Sequence, residues 1–170
     1  MKIYRLLLNY HSIGEAAESC KELRSRDVEK IFLGDASVGD EVEMRYQMTP
    51  ELLEQYIRTT DDRNPWYTGP SPFGGPVAPP VLVCMRHSDM LSEKYDKRGR
   101  LLISTNATYF GPIMVGTNII AKGKIVAKYV KRGREYVEME AESRDERGRL
   151  LIKDRRRYLP RFAKKEDEKR

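Results

Sequence analysis

The sequence predicts an α+β fold in which one antiparallel sheet covers one long apolar helix. Two observations carry this prediction. Apolar and polar residues alternate over several segments, as they do in half-buried strands, and residues 80–95 begin with a stretch that is apolar on nearly every side. Because a helix of that kind has to be enclosed, a single curved sheet wrapped around it satisfies both patterns.

The first strand is predicted at residues 42–48, where Val42, Met44 and Tyr46 point one way and the polar residues between them point the other. Thr49 is a favourable N-cap and Pro50 suits a first helical position, so a helix begins there and ends near Thr60. Residues 61–79 are rich in Pro, Gly, Ser and Asp and predict a long loop.

The long helix at residues 80–95 is followed by four predicted strands, at residues 101–110, 119–129, 137–142 and 149–159. Residues 101–110 are apolar or small on both sides, which favours a central strand. Glycines in the turns at residues 131–134 and 145–148 predict hairpins, and the order suggests a consecutive antiparallel meander. Facing lysines and glutamates would pair on the solvent side if the second and third of these strands are neighbours. This arrangement is the hot-dog fold.

Composition excludes several functions. The 170 residues suit one domain, and the net charge of +6 is spread among many acidic residues, so nucleic acid is not expected as a partner. No apolar stretch approaches the roughly 20 residues needed to span a bilayer, and the start is a poor signal peptide, which predicts a cytoplasmic protein without membrane contact. Cys20 and Cys84 lie far apart and the chain has only two histidines, so no disulfide framework and no metal site are expected.

Three regions follow from these patterns. Residues 1–34 form an N-terminal extension that is partly helical at residues 15–24, and residues 35–162 form the hot-dog domain. Residues 163–170 are almost entirely charged and predict a disordered tail.

Three segments carry a resemblance to a known family. Residues 60–67 read TDDRNPWY, residues 73–80 read FGGPVAPP, and residues 109–116 read YFGPIMVG. In this order they resemble the MaoC-like (R)-specific enoyl-CoA hydratases and 3-hydroxyacyl thioester dehydratases. In that family a Gly-Asp-x-Asn-Pro-aliphatic-His loop precedes a Gly-Gly-x-aliphatic-Ala-His-Gly segment at the start of the central helix. The resemblance spans residues 35–160 and implies the same hot-dog fold.

The resemblance also implies site residues. Asp62 matches the catalytic aspartate of the family, Asn64 and Pro65 match its Asn-Pro, and Tyr67 stands where the family has its catalytic histidine. The candidate catalytic residues are therefore Asp62, Asn64 and Tyr67. The candidate substrate-binding residues are Pro65, Phe73, Gly74, Gly75, Ala78, Val81 and Tyr109.

The departures from the family pattern affect the chemistry. Hydration of an enoyl thioester needs a base that takes a proton from water and an acid that protonates the α-carbon. It also needs hydrogen-bond donors for the thioester oxygen on which negative charge develops. A tyrosine, with a pKa of about 10, is a poor base at neutral pH. Pro79 and Pro80 have no N–H to donate, so Val81 would be the first donor of the helix. His87 is a possible replacement base, although its helical position favours a core histidine.

Two functional hypotheses remain open. The first is a hydro-lyase that acts on a CoA-bound or carrier-bound enoyl or 3-hydroxyacyl thioester in fatty acid metabolism, with Asp62 as principal acid and base. The second is a non-catalytic acyl-binding half of a heteromeric dehydratase. Both imply a homodimer or a heterodimer of hot-dog subunits and no cofactor beyond the coenzyme A of the substrate. A thioesterase, with Asp62 activating water against the carbonyl, is a third and weaker alternative.

Overall fold

The computed structural model describes residues 30–162 of the chain. The predictions of a helix at residues 15–24 and of a disordered tail at residues 163–170 therefore lie outside the described residues, as does Cys20.

One antiparallel sheet and two helices make up the described domain. The helices are α1 (Pro50–Thr60) and α2 (Pro80–Lys94), and single 3-10 turns occur at Leu33–Asp35 and Pro65–Tyr67. The strands are β1 (Glu41–Gln47), β2 (Leu101–Tyr109), β3 (Asn118–Lys131), β4 (Arg134–Asp145) and β5 (Leu150–Leu159). Every predicted helix and strand in this part of the chain is present, and the predicted α+β class is confirmed.

The order of strands in the sheet is β1-β3-β4-β5-β2. The consecutive pairing of β3, β4 and β5 is confirmed, but the prediction that β2 continues this meander as a central strand is wrong. β2 pairs with β5 at one edge, and its side chains are mostly exposed. Alternation within a segment predicts a strand but not its partner. Residues 110–117 connect the edge strand β2 to β3, which is separated from β2 in the sheet by β4 and β5.

Helix α2 packs against one face of the sheet. Its residues Met90 and Leu91 are fully buried in one apolar cluster with Ala121 of β3 and Met139 of β4. Leu33 is buried in the same cluster, and the Ile31 N–H donates to the Lys94 carbonyl at 3.2 Å. Residues 31–34 thus pack with the domain, although the sequence assigned them to the N-terminal extension.

The opposite face of the sheet carries alternating columns of charge. Glutamates of β1 face lysines of β3, and glutamates of β4 face basic residues of β5. Lys122 and Lys124 lie opposite Glu142 and Glu140, as predicted, but their ion pairs are to Glu43 and Glu41 of β1, at 3.5 and 3.4 Å. Arg155 and Arg157 pair with Glu138, also within this face. The basic residues of these strands are thus interleaved with acidic partners, unlike the clustered patch that nucleic-acid binding uses.

Neither α1 nor α2, the two helices of the described part of the chain, has the length and apolar character that crossing a bilayer requires.

Candidate active site at the start of helix α2

Helix α1 ends at the candidate site because of its caps. The Thr49 side chain accepts the Leu52 N–H at 3.3 Å and Pro50 occupies the first turn, as the sequence predicts. At the other end Asp61 adopts a left-handed conformation with φ of 55° and donates its N–H to the Ile57 carbonyl at 2.8 Å. This cap stops the helix, and Asp62 is the first residue of the following loop.

A short turn built by Asn64 and Pro65 orients the next residues. The Asn64 side chain accepts the Trp66 N–H at 3.0 Å, and the Asn64 carbonyl accepts the Tyr67 N–H at 3.0 Å. Tyr67 is thereby turned inward and is 8% exposed, whereas Trp66 is turned outward and is 43% exposed. These contacts give Asn64 the role of shaping the loop, since its side chain bonds to Trp66 and not to Asp62.

Asp62 and Tyr67 form the central pair of the site. The Tyr67 hydroxyl donates to Asp62 Oδ2 at 2.9 Å, and Asp62 is half-buried. Burial, followed by the hydrogen bond and the negative charge of Asp62, raises the pKa of Tyr67 to about 12. Tyr67 is therefore a neutral hydrogen-bond donor at neutral pH, and Asp62 is the member of the pair with a carboxylate able to accept a proton from water.

The pair is connected by backbone hydrogen bonds to the start of α2. The Val77 N–H donates to the Trp66 carbonyl at 2.9 Å, and the Ala78 N–H donates to the Ile113 carbonyl at 2.8 Å. Tyr67, Ala78 and Leu82 share one buried apolar cluster, so Tyr67 lies next to the first turn of α2. Val81, in that turn, is exposed and supplies the first backbone donor of the helix. A helix start favours a developing negative charge nearby.

The predicted binding residues 73–75 border this loop. Phe73 is 52% exposed and meets Trp66 edge to face, with ring centroids 6.3 Å apart and an interplanar angle of 87°. Gly74 has a φ of 93°, which a residue with a side chain rarely adopts. The Ser71 hydroxyl donates to the Gly75 carbonyl at 2.5 Å and closes the turn.

Tyr109, the remaining predicted binding residue, lies outside this loop. It stands at the end of edge strand β2, where burial and the neighbouring Cys84 thiol raise its pKa to about 12. The structure thus groups Tyr109 with Cys84. Cys84 itself is a buried free thiol.

Below α2 lies a buried polar network that the sequence did not predict as a unit. His87 is fully buried, with Nδ1 3.0 Å from Asp154 Oδ2 and Nε2 2.8 Å from the Ser143 hydroxyl. The interpretation of His87 as a core histidine agrees with this placement. With both ring nitrogens engaged beneath the helix, it does not act as a base at the Asp62 loop.

Arg156 completes this network. Its guanidinium donates to Asp154 Oδ2 at 2.8 Å, to the Ser88 hydroxyl at 2.7 Å, and to both the carbonyl and the thiol of Cys84. Burial alone would raise the pKa of Asp154, but the hydrogen bond and charge of His87 and the charge of Arg156 outweigh it and hold that pKa below its ordinary value. A signal for the network exists in the sequence. In residues 153–157 strict alternation turns Asp154 and Arg156 inward, although the run reads as a basic patch.

Within residues 30–162, no group of three or more His, Cys, Asp or Glu side chains is arranged to hold a metal ion.

Comparison with known proteins identifies the family. The sequence model of the FAS1-like dehydratase domain region matches residues 35–154, most of the chain. The chain belongs to the FAS1-like dehydratase family. No curated protein sequence matches the chain.

Solved structures show the hot-dog fold of this FAS1-like dehydratase domain. An (R)-hydratase of Pseudomonas aeruginosa is 16% identical with a TM-score of 0.67, and the match covers 79% of this chain and 88% of that one. The (R)-hydratase of A. caviae involved in PHA biosynthesis is 15% identical with a TM-score of 0.65, over 73% and 96% of the two chains. The 3R-hydroxyacyl-ACP dehydratase complex HadBC of Mycobacterium tuberculosis is 13% identical with a TM-score of 0.60, over 74% and 98%. The resemblance to MaoC-like proteins and the hot-dog fold are thereby confirmed.

Proposed function

We propose that this chain is a hydratase or dehydratase that acts on an enoyl or 3-hydroxyacyl thioester, bound to coenzyme A or to a carrier protein. The observation that carries the proposal is the hydrogen bond of 2.9 Å between the Tyr67 hydroxyl and Asp62 Oδ2, beside the first turn of α2. This contact joins one carboxylate and one neutral donor in the loop whose sequence resembles the MaoC-like motif, which supports the proposal.

Asp62 performs the proton transfers in this mechanism. Its carboxylate takes a proton from water while the water oxygen bonds to the β-carbon of the enoyl group, and the electrons of the double bond move toward the thioester carbonyl. The same carboxyl group then gives the proton to the α-carbon, so water is added without a further cofactor. Tyr67 holds the carboxylate in place. Val81 N–H, the first backbone donor of the helix, would stabilise the oxygen on which negative charge develops.

The test follows the loss of the enoyl absorbance of crotonyl-CoA with the purified chain. Asp62→Asn should abolish turnover, because an amide cannot accept the proton. Asp61→Asn is a matched control, since Asp61 is exposed, pairs with Arg63, and has a left-handed backbone that asparagine tolerates. Equal activity in wild type and Asp62→Asn would contradict the assignment, and release of free thiol would indicate a thioesterase instead.

A partner subunit belongs to the same proposal. β2 is an edge strand with unpaired backbone groups, and Leu101, Leu102 and Ile103 on it are exposed, as are Val81 and Met85 of α2. Exposed strand edges of this kind invite pairing with another chain. We expect a second copy to occupy this edge, which light scattering would report as twice the mass of one chain. A substitution of Leu102 by lysine should yield the monomer.

A non-catalytic acyl-binding half of a heteromer is the second candidate. Two features of the site favour it. Pro79 and Pro80 remove two backbone N–H donors from the helix start. The position of the family's histidine base is occupied by Tyr67, whose pKa is about 12. The structurally similar 3R-hydroxyacyl-ACP dehydratase HadBC is itself a complex. Activity that arises only when a histidine-bearing hot-dog subunit is added would establish this alternative.

A cytoplasmic location and a role in fatty acid metabolism complete the proposal. The buried free thiol of Cys84 fits a reducing compartment.

A further inference from the structure

The side chain of Tyr67 packs into a cluster of buried apolar residues. Tyr67 is in one cluster with Ala78, Leu82, Val83, Ile113, Leu151 and Ile152, all of them buried. Leu82 is only 5% exposed and Ile113 only 3%. Because protein interiors are packed with few voids larger than a water molecule, an acyl tail that passes Tyr67 meets a closed apolar wall.

Beyond that wall the interior is charged. The next positions of α2 that face the sheet are Cys84 and His87, which contact the buried ion pair of Asp154 and Arg156. An alkyl chain that continued between α2 and the sheet would have to displace these hydrogen bonds and leave buried charges without partners. Such an exchange is strongly unfavourable.

We infer that the chain selects thioesters with short acyl groups, of about four carbons, and that Leu82 and Ile113 set this limit. The inference rests on the proposed function, since it concerns the acyl group whose reacting carbons lie at Asp62. A longer chain gains no interior contact after the first carbons, so added methylenes add little affinity.

Saturated thioesters test the limit without turnover. Butyryl-CoA, octanoyl-CoA and free coenzyme A are titrated into the full chain by calorimetry, and the fluorescence of Trp66, the one tryptophan of the sequence, reports binding beside Tyr67. Butyryl-CoA should bind more tightly than coenzyme A, and octanoyl-CoA should bind within about fivefold of butyryl-CoA. A fully buried octanoyl tail would instead bind about 200-fold more tightly, because each buried methylene contributes about fourfold.

The outcomes separate the two claims. Octanoyl-CoA that binds more than fivefold more tightly than butyryl-CoA overturns the short-acyl inference and leaves the proposed function intact. If neither thioester binds more tightly than free coenzyme A, the proposed function fails for thioesters of coenzyme A, and the short-acyl inference fails with it.

A variant then locates the limit. Leu82→Ala removes part of the wall behind Tyr67 and should tighten octanoyl-CoA at least fivefold while leaving butyryl-CoA within twofold. Ile125→Ala is the matched control, because Ile125 is also buried but belongs to the other apolar cluster. The same tightening in Ile125→Ala, or none in Leu82→Ala, contradicts the assignment of Leu82, and the wild-type comparison of chain lengths decides the inference even if a variant fails to fold.

Discussion

Asp62 and Asp154 each hold a hydrogen bond to a ring side chain, and their surroundings give them different roles. Asp62 is half-buried in a loop and accepts from Tyr67 at 2.9 Å. Asp154 is buried beneath α2, 3.0 Å from His87 and 2.8 Å from Arg156. The pair that contains a histidine resembles catalytic machinery more closely, yet it is sealed inside the core. Access to a ligand, and not residue type alone, separates a candidate site from an anchor.

The largest expected effect concerns the buried ion pair of Asp154 and Arg156. Asp154→Ala leaves the Arg156 guanidinium buried without its carboxylate, which should lower the free energy of unfolding by about 3–5 kcal/mol. Asp62→Ala is the matched control and should cost at most about 1 kcal/mol, since one hydrogen bond near the surface is lost. Urea denaturation measures both values. Equal losses in the two variants would show that Asp154 contributes no more to stability than Asp62 does.

The next effect concerns the loop pair. By its resemblance to the MaoC-like motif, position 67 is where a catalytic histidine is expected. Tyr67→His should therefore raise the turnover of crotonyl-CoA about 100-fold, the contribution of a general base. In an Asp62→Asn background the same change should give no comparable gain. An unchanged rate in Tyr67→His would mean that the missing base is not what limits the chemistry.

The dependence of stability on acid pH tests the role of Asp154 further. The native pKa of Asp154 lies below its unfolded value of 3.8, so the carboxylate stabilises the fold above that value. The stabilisation is lost as the pH falls through the lower native pKa. Urea midpoints taken from about pH 5 downward should therefore drop more steeply in wild type than in Asp154→Asn. Parallel curves would show that Asp154 is not the group responsible.

The smallest effect is expected from the tyrosine hydroxyl alone. Tyr67→Phe removes one hydrogen bond to Asp62 worth about 1 kcal/mol, which corresponds to about a fivefold lower rate if it acts by holding the carboxylate. A loss beyond about 100-fold would instead make Tyr67 a proton donor in the reaction. Steady-state rates with crotonyl-CoA distinguish these roles.

Much of the local structure follows from patterns that the sequence shows directly. Alternation predicts the strands, Thr49 and Pro50 predict the start of α1, and the Asp-x-Asn-Pro segment predicts the loop that holds Asp62. Asn64 was assigned a catalytic role by resemblance, but its contact with the Trp66 N–H is the ordinary turn chemistry of asparagine. A resemblance transfers a position, while the contact partners depend on the surrounding loop.

The class of fold, the approximate positions of its elements and the loop motif could be predicted from the sequence, because they depend on residues close together in the chain. The exact bounds could not, since β4 extends over Arg134–Asp145 and the prediction covered only residues 137–142. Only the tertiary structure placed β2 at the edge beside β5, since strand pairing depends on segments that are distant in sequence. Only the tertiary structure brought Cys84, His87 and Ser143 to Asp154 and Arg156. β4, β5 and α2 must pack together before the inward charged side chains meet their partners. That packing buries Asp154 and Arg156, which the sequence shows as part of a basic run.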